Sequence, residues 1–433
     1  MEERCIENPF LGDISNSSPV TSERTLESLL TKQLHQIHSN VLIDLENDLR
    51  HNQPNINDDD TVYTGIAGLC FYYLNKYVKD NNDTQALQTC KEIYNQIITD
   101  TNTADNNKRK KKKKRITFLH GVNGLLTIGI ILHSIDNNVN DFVNLLNQLQ
   151  SQCTEIVDNL EDQYPFEILF GKCGYLQCLI LIKRYCRTFL NGNVESKNLL
   201  DQSIELLIMD IVQNGRDYPY ETESPLMYEW HESQYLGGIH GLSGILYMLM
   251  CAIESLDLDT AKRIPIDKDI QDSLDFLMGT MLPSGNFPSR PQNKNDRLVQ
   301  FCHGAPGVIP TLVKAYSYFN KNPKYLDCAI KSSNAIWKHG LLVKGSGICH
   351  GISGNAYSFL LIYKESKDPI WLFKTLAFVK LLLTQSFFKL LNTPDNPYSL
   401  FEGVGGLAYL LNDLMNLYQS KDAYLPQIQF PSY

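Results

Sequence analysis

IHGLSGILYMLMCAI, residues 239–253, sets two glycines three apart ahead of nine residues that carry no charge. Wound as a helix, that run is apolar round more than one face, so it belongs inside a protein rather than resting on one. The arrangement recurs. Gly-x-x-Gly falls at Gly65/Gly68, Gly121/Gly124, Gly171/Gly174, Gly241/Gly244, Gly304/Gly307, Gly351/Gly354 and Gly403/Gly406, each time before a mostly apolar stretch. Between the copies lie segments such as DFVNLLNQLQSQCTEIVDNL, with apolar residues at three- and four-residue steps and a polar face. One copy alone reads as a tight turn or a close helix contact. Seven in frame define a repeat of about fifty residues, each with one buried and one partly exposed helix, and such repeats build stacked or circular architectures. The expected fold is all-α: an α/α toroid of seven inner and seven outer helices.

The composition agrees with a large folded body. A hydrophobic share of 43% over 433 residues can fill a sizeable core. The formal charge of −9 gives no basic face for nucleic acid. Eleven cysteines are scattered without a short-spaced framework, which predicts a reduced, cytoplasmic protein. No apolar run reaches the length of a spanning helix, and no glycine follows Met1, so N-myristoylation is not encoded.

If the seven turns are equivalent, the residues preceding each first glycine gather round one opening. One place before it stand Thr64, His120, Phe170, His240, His303, His350 and Glu402, which takes four of the ten histidines. Two places before it stand Tyr63, Leu119, Leu169, Ile239, Cys302, Cys349 and Phe401. Two cysteines in equivalent places of adjacent repeats, beside imidazoles, suit Zn²⁺, and a three-ligand set leaves the fourth tetrahedral position open for chemistry. Spacing leaves the third ligand open among His240, His303 and His350. The other cysteines read as small buried hydrophobes.

Five stretches carry a family resemblance over nearly the whole chain: RCIENPF, YLGGIHGLSGILYMLM, NDRLVQFCHGAPGVIPTL, KGSGICHGISGNAYSFLLIYK and TPDNPYSLFEGVGGLAYLL. With them the chain resembles the eukaryotic branch of the lanthionine synthetase C-like proteins. The resemblance implies a double-layered toroid with a central zinc held by Cys302, Cys349 and His350. It implies addition of the glutathione thiol to dehydroalanine or dehydrobutyrine in proteins or peptides, with His240 as acid/base and Glu167 as a carboxylate beside the site. It places Lys344 and Arg4 at positions used to bind glutathione. The alternatives are a glutathione- and zinc-binding scaffold or signalling adaptor without turnover, and a peptide lanthionine cyclase. An α/α-toroid glycosidase leaves the cysteines unexplained.

The chain departs from the family pattern in places. Asn392 stands where the family carries arginine, which puts one glutathione contact in question, and His120-Gly121-Val122 replaces Cys-Gly-Asp. His303 fits the pattern as a residue orienting a ligand or thiolate rather than as a ligand. The expected division is an N-terminal arm over 1–55, carrying one capped helix that packs on the toroid, and the toroid itself over 56–433. The run TNTADNNKRKKKKKR, 101–115, reads as a surface insertion and a solvated loop. Its functional alternatives are nuclear import or a peripheral contact with anionic lipid.

Overall fold

A computed structural model describes residues 4–11, 23–52, 59–80, 83–103, 115–158, 164–256, 258–420 and 430. Seven helices follow the seven glycine pairs: α3 (Ile66–Lys79), α5 (Val122–Ile135), α8 (Lys172–Tyr185), α11 (Leu242–Ser255), α13 (Ala305–Tyr318), α15 (Ile352–Ser366) and α18 (Val404–Ser420). Each packs on the next, and α18 closes on α3, so they form a ring of parallel helices. Their burial follows from composition. In α11 every residue from Leu242 to Ile253 is buried, which a helix apolar on all faces requires.

The outer layer runs antiparallel to the inner one. It comprises α4 (Thr84–Thr103), α6 (Val139–Gln150), α10 (Val194–Arg216), α12 (Thr260–Gly279), α14 (Pro323–His339) and α16 (Pro369–Leu382), each packed on the inner helix before it in the chain. These helices are amphipathic and capped. In α6 Asn138 caps the first turn by accepting from Asp141 N–H, and Phe142, Leu146 and Leu149 form the inward stripe. In α14 Asn322 caps and Pro323 occupies the first turn, where its missing N–H costs nothing. The short helices α7 (Cys153–Val157) and α9 (Arg187–Asn191) lie in the connections before and after α8, and α17 (Gln385–Phe388) follows α16.

The seventh outer helix comes from the start of the chain. The one helix expected there is broken in two, α1 (Glu23–Gln36) and α2 (Ser39–His51), because His38 adopts an extended conformation and its ring accepts from Asn40 N–H. Buried Ile37 pins the elbow. From it α2 packs on α18 and completes the outer ring, while α1 lies across α16 and explains why that helix is buried on nearly every face. Among the described residues there is no strand, only isolated bridges, and no helix is long and apolar enough to cross a membrane. All eleven cysteines are free thiols. Of the run 101–115, residues 101–103 form the last turn of α4 rather than a loop, Arg115 is described, and the rest lies outside the described residues.

Candidate metal centre and active site

The turns that carry the glycines are stitched into a closed circle of backbone hydrogen bonds. Tyr63 N–H donates to Leu119 O (2.8 Å), Phe118 to Gly174 O (3.0 Å), Ile168 to Ile239 O (3.1 Å) and Gly238 to Phe301 O (3.1 Å). Cys302 N–H then donates to Cys349 O (3.3 Å), Cys349 to Phe401 O (2.9 Å), and Phe401 back to Tyr63 O (3.2 Å). The glycines make this tightness possible. A Cβ on the second glycine of each pair would strike the carbonyl of the residue six places earlier, as at Gly354 against Ile348 and Gly307 against Phe301. Of the seven first glycines only Gly304 has a positive φ, +116°; the others need closeness rather than an unusual conformation.

This circle brings Cys302, Cys349 and His350 together, with their ligand-capable atoms all within 4.8 Å of one another. His240 and His303 occupy the same place in their own turns and stay outside the group. The two thiols act on each other directly. Cys302 is held well below the usual thiol range, first by the hydrogen bond from Cys349 and then by His350 and His303, against the opposing effect of burial. Cys349 is pushed up, first by its bond to Cys302 and then by burial. Gln300 Nε2 donates to Cys302 Sγ at 3.0 Å. Burial, followed by the charge on Cys349 and Cys302, keeps the Tyr63 hydroxyl protonated and able to donate to Cys349. Two sulfurs and one imidazole form the borderline-soft set that Zn²⁺ prefers, and three ligands are the number that leaves a position for substrate. The residues therefore fit a catalytic zinc. Seven inner-helix N-termini converge on the same end and favour negative sulfur there.

Beside the cysteines stands a second group. Glu167 is 1% exposed, and its carboxylate accepts from Leu169 N–H (3.1 Å), from Phe170 N–H and from His240 Nδ1 (2.6 Å). A carboxylate on Nδ1 fixes that nitrogen as the donor and leaves Nε2 for other partners. Trp230 stacks on the His240 ring with centroids 4.5 Å apart, Phe170 stacks at 6.1 Å, and His303 stands at 6.0 Å. His303 has its pKa lowered, chiefly by burial, and its Nδ1 has no partner among the described residues. It packs against Tyr235 at 5.3 Å. Trp230 reaches the site on a two-residue turn whose ends exchange backbone bonds with Ser233 and whose central residues, His231 and Glu232, both have positive φ.

Lys344 and Arg4 are brought near one another by backbone pairing. Residues 4–6 pair antiparallel with 341–343, so that Val343 N–H donates to Arg4 O (3.0 Å) and Ile6 N–H to Leu341 O (2.7 Å). Asn392 N–H donates to Val343 O (2.7 Å), which brings all three positions to one strand of backbone. Among the described residues neither cation has an ion-pair partner. His120 meets Phe170 edge-on at 5.2 Å and lines a recess with Asp59, Arg115 and Val122, with its pKa lowered by burial and then by Arg115. Glu402 accepts from Asn396 Nδ2 at 2.9 Å.

Trp230, Gln300 and Tyr63 are the contributors that the repeat frame did not single out. Gln300 lies two residues before Cys302 in the NDRLVQFCHG stretch and Tyr63 two before its glycine, so both were within reach of the frame. Trp230 comes from a long connection with no periodic signal.

A closed ring of seven helix pairs with a Cys₂His group at the end where the glycine turns meet defines an α/α toroid with a potential catalytic metal centre. The chain belongs to the lanthionine synthetase C-like family, whose description it matches over residues 57–429. It is 32% identical over 432 residues to "Glutathione S-transferase LANCL1" of Danio rerio, covering 97% of this chain and 98% of that one. It is also 32% identical over 379 residues to "LanC-like protein GCL1" of Arabidopsis thaliana, covering 84% and 80%. Among solved structures nisin cyclase has the same fold, with a TM-score of 0.63 at 16% identity over 90% of this chain and 98% of that one.

Proposed function

We propose that this protein catalyses zinc-dependent addition of the glutathione thiol to dehydroalanine or dehydrobutyrine residues in proteins or peptides. The observation that carries the reading is the Cys302–Cys349–His350 group beside the Glu167–His240 pair. The name of the Danio rerio relative supports glutathione as the thiol substrate. In the reaction the sulfur–hydrogen bond breaks, a bond forms between sulfur and the alkene Cβ, and a proton ends on Cα. Nothing is oxidised or reduced.

Cys302, Cys349 and His350 would hold the zinc. When bound, zinc supplies a charge that keeps a thiol ionised near neutral pH. His240 supplies the proton that Cα requires, from Nε2, while Glu167 holds Nδ1–H and stabilises the imidazolium form. Trp230 and Phe170 keep the ring in plane and limit water on that side. Arg4 and Lys344 provide cations for the two glutathione carboxylates, and Asn392 supplies a neutral amide beside them.

Mass spectrometry of a dehydroalanine peptide incubated with glutathione tests the reading. Wild-type protein should yield the glutathione adduct above background, and Cys349→Ala, matched for folding, should not. Binding of zinc and glutathione by wild type without adduct would replace catalysis with the scaffold reading.

A further inference from the structure

The proposed reaction brings three sulfurs to one place. Glutathione supplies one, and Cys302 and Cys349 supply two more, inside a group whose ligand-capable atoms all lie within 4.8 Å of one another. A protein thiolate attacks an alkene by the same step as glutathione, forming a bond from sulfur to Cβ while a proton goes to Cα. An alkene delivered to the glutathione sulfur therefore arrives beside two competing nucleophiles. A protein that alkylated its own ligands would stop after one turnover, so the three sulfurs must be chemically distinct.

The structure gives each protein sulfur a neutral donor from outside the ligand set. Gln300 Nε2 donates to Cys302 Sγ at 3.0 Å, and the Tyr63 hydroxyl donates to Cys349. Both are held from behind. Gln300 is 6% exposed and opens a turn that closes at His303, where Gln300 N–H donates to His303 O (3.2 Å) and His303 N–H to Gln300 O (3.1 Å). Cys302 lies inside that turn, so the amide folds over the sulfur two residues further on. The Tyr63 ring stacks on Phe401 with centroids 4.9 Å apart. Its backbone is committed to the stitched circle on both sides, donating to Leu119 O and accepting from Phe401 N–H. Ring and backbone together fix where the hydroxyl points. A hydrogen bond to a thiolate engages the electron pair that would attack carbon, and a thiolate made less basic is a poorer nucleophile. Neither donor is a cation, so neither competes with a metal ion for the site or draws in a substrate carboxylate.

We propose that Gln300 and Tyr63 are positioning residues that decide which sulfur reacts. They cap Cys302 and Cys349, which stay ligands, and leave the sulfur of the incoming thiol as the nucleophile. The inference rests on the reading above for the identity of that third sulfur, while the capping itself is measured without glutathione.

Alkylation of full-length, zinc-loaded protein with iodoacetamide, in the absence of glutathione, tests the assignment. The attacking sulfur displaces iodide and gains a carbamidomethyl group, and peptide mass mapping gives a rate for each cysteine. Gln300→Leu should speed alkylation of Cys302 alone, and Tyr63→Phe that of Cys349 alone, each by about tenfold over wild type. Zinc content should stay at the wild-type level in both. If Gln300→Leu folds poorly, Gln300→Asn withdraws the donor while keeping an amide, and should also speed Cys302. A merely structural role would open both sulfurs together or release zinc. Equal rates in wild type and variants would overturn the proposal, as would acceleration of both cysteines in each variant or acceleration that tracks lost zinc. With the dehydroalanine peptide in place of iodoacetamide, each variant should form a peptide–protein thioether at its uncapped cysteine. Failure of wild type to join glutathione to that peptide, with the residue-specific rates intact, would count against the glutathione reading and leave the capping standing.

Discussion

Replacing Glu167 with glutamine changes one oxygen to an NH₂ group in a site with no room for a mistake. The carboxylate is 1% exposed and serves three donors: Phe170 N–H on one oxygen, Leu169 N–H and His240 Nδ1–H on the other. Glutamine offers one acceptor oxygen. If that oxygen keeps Leu169 and His240, the new NH₂ faces Phe170 N–H, donor against donor. If it turns to Phe170, the NH₂ faces Leu169 N–H and drives His240 to the tautomer with its proton on Nε2. Either way a charge-assisted bond is lost, worth about 1.5–3 kcal/mol, and a buried donor is orphaned. Denaturant unfolding should therefore show Glu167→Gln less stable by about 2–3 kcal/mol. Loss of the imidazolium partner should slow adduct formation about 100-fold, at the lower end of what positioned acid–base groups contribute. Zinc content, measured in the same samples, should stay at the wild-type level because no ligand is touched. A variant with wild-type rate and stability would refute this account of the pair, and so would a rate loss that tracks lost zinc.

Gly354→Ala should cost more than about 3 kcal/mol, since its Cβ would strike the Ile348 carbonyl inside the stitched circle, whereas Gly279→Ala, with nothing within 4 Å at the exposed end of α12, should be neutral or slightly stabilising in the same melts. Lys374 is 5% exposed between Trp371, Trp337 and Phe359, and burial pushes its pKa down to about 8, partly opposed by Asp368. It is charged in both states below about pH 8 and neutral in both above about 10.5, so its burial cost of about 3 kcal/mol is present at neutral pH and fades between those values. Lys374→Met should thus be more stable than wild type at pH 7 by about 2 kcal/mol, after allowing for lost cation–π contacts, with the gain shrinking as pH rises towards 10; a gain independent of pH would contradict the assignment. Removing bound metal with a chelator should lower the melting temperature and abolish adduct formation, zinc should restore both, and Cys349→Ala should melt at one temperature with or without chelator.

The toroid was legible because its signal is global. Glycine pairs and helices apolar on every face recur seven times, and only a closed or stacked arrangement buries such helices. The reason for the glycines was not legible. A turn suggests an unusual φ, yet all but Gly304 adopt conformations open to any residue, and the demand comes from carbonyls of their own turn. The two cysteines stood out because the repeat put them in register. The third donor did not, because His240, His303 and His350 are equivalent in sequence and differ only in where their turns sit on the circle. Trp230 was invisible for a different reason: its turn depends on two positive-φ residues, His231 and Glu232, that have no glycine or asparagine to announce them. The elbow between α1 and α2 was missed because the apolar spacing continues across Ile37, although Ser39 and Asn40 are residue types that start helices.

X-ray absorption at the zinc edge, on protein with and without glutathione, tests the central claim most directly. The account predicts two sulfurs and one imidazole from Cys302, Cys349 and His350 in the protein alone, and one further sulfur when glutathione is added. A metal without sulfur neighbours, or a sulfur count that glutathione leaves unchanged, would contradict it.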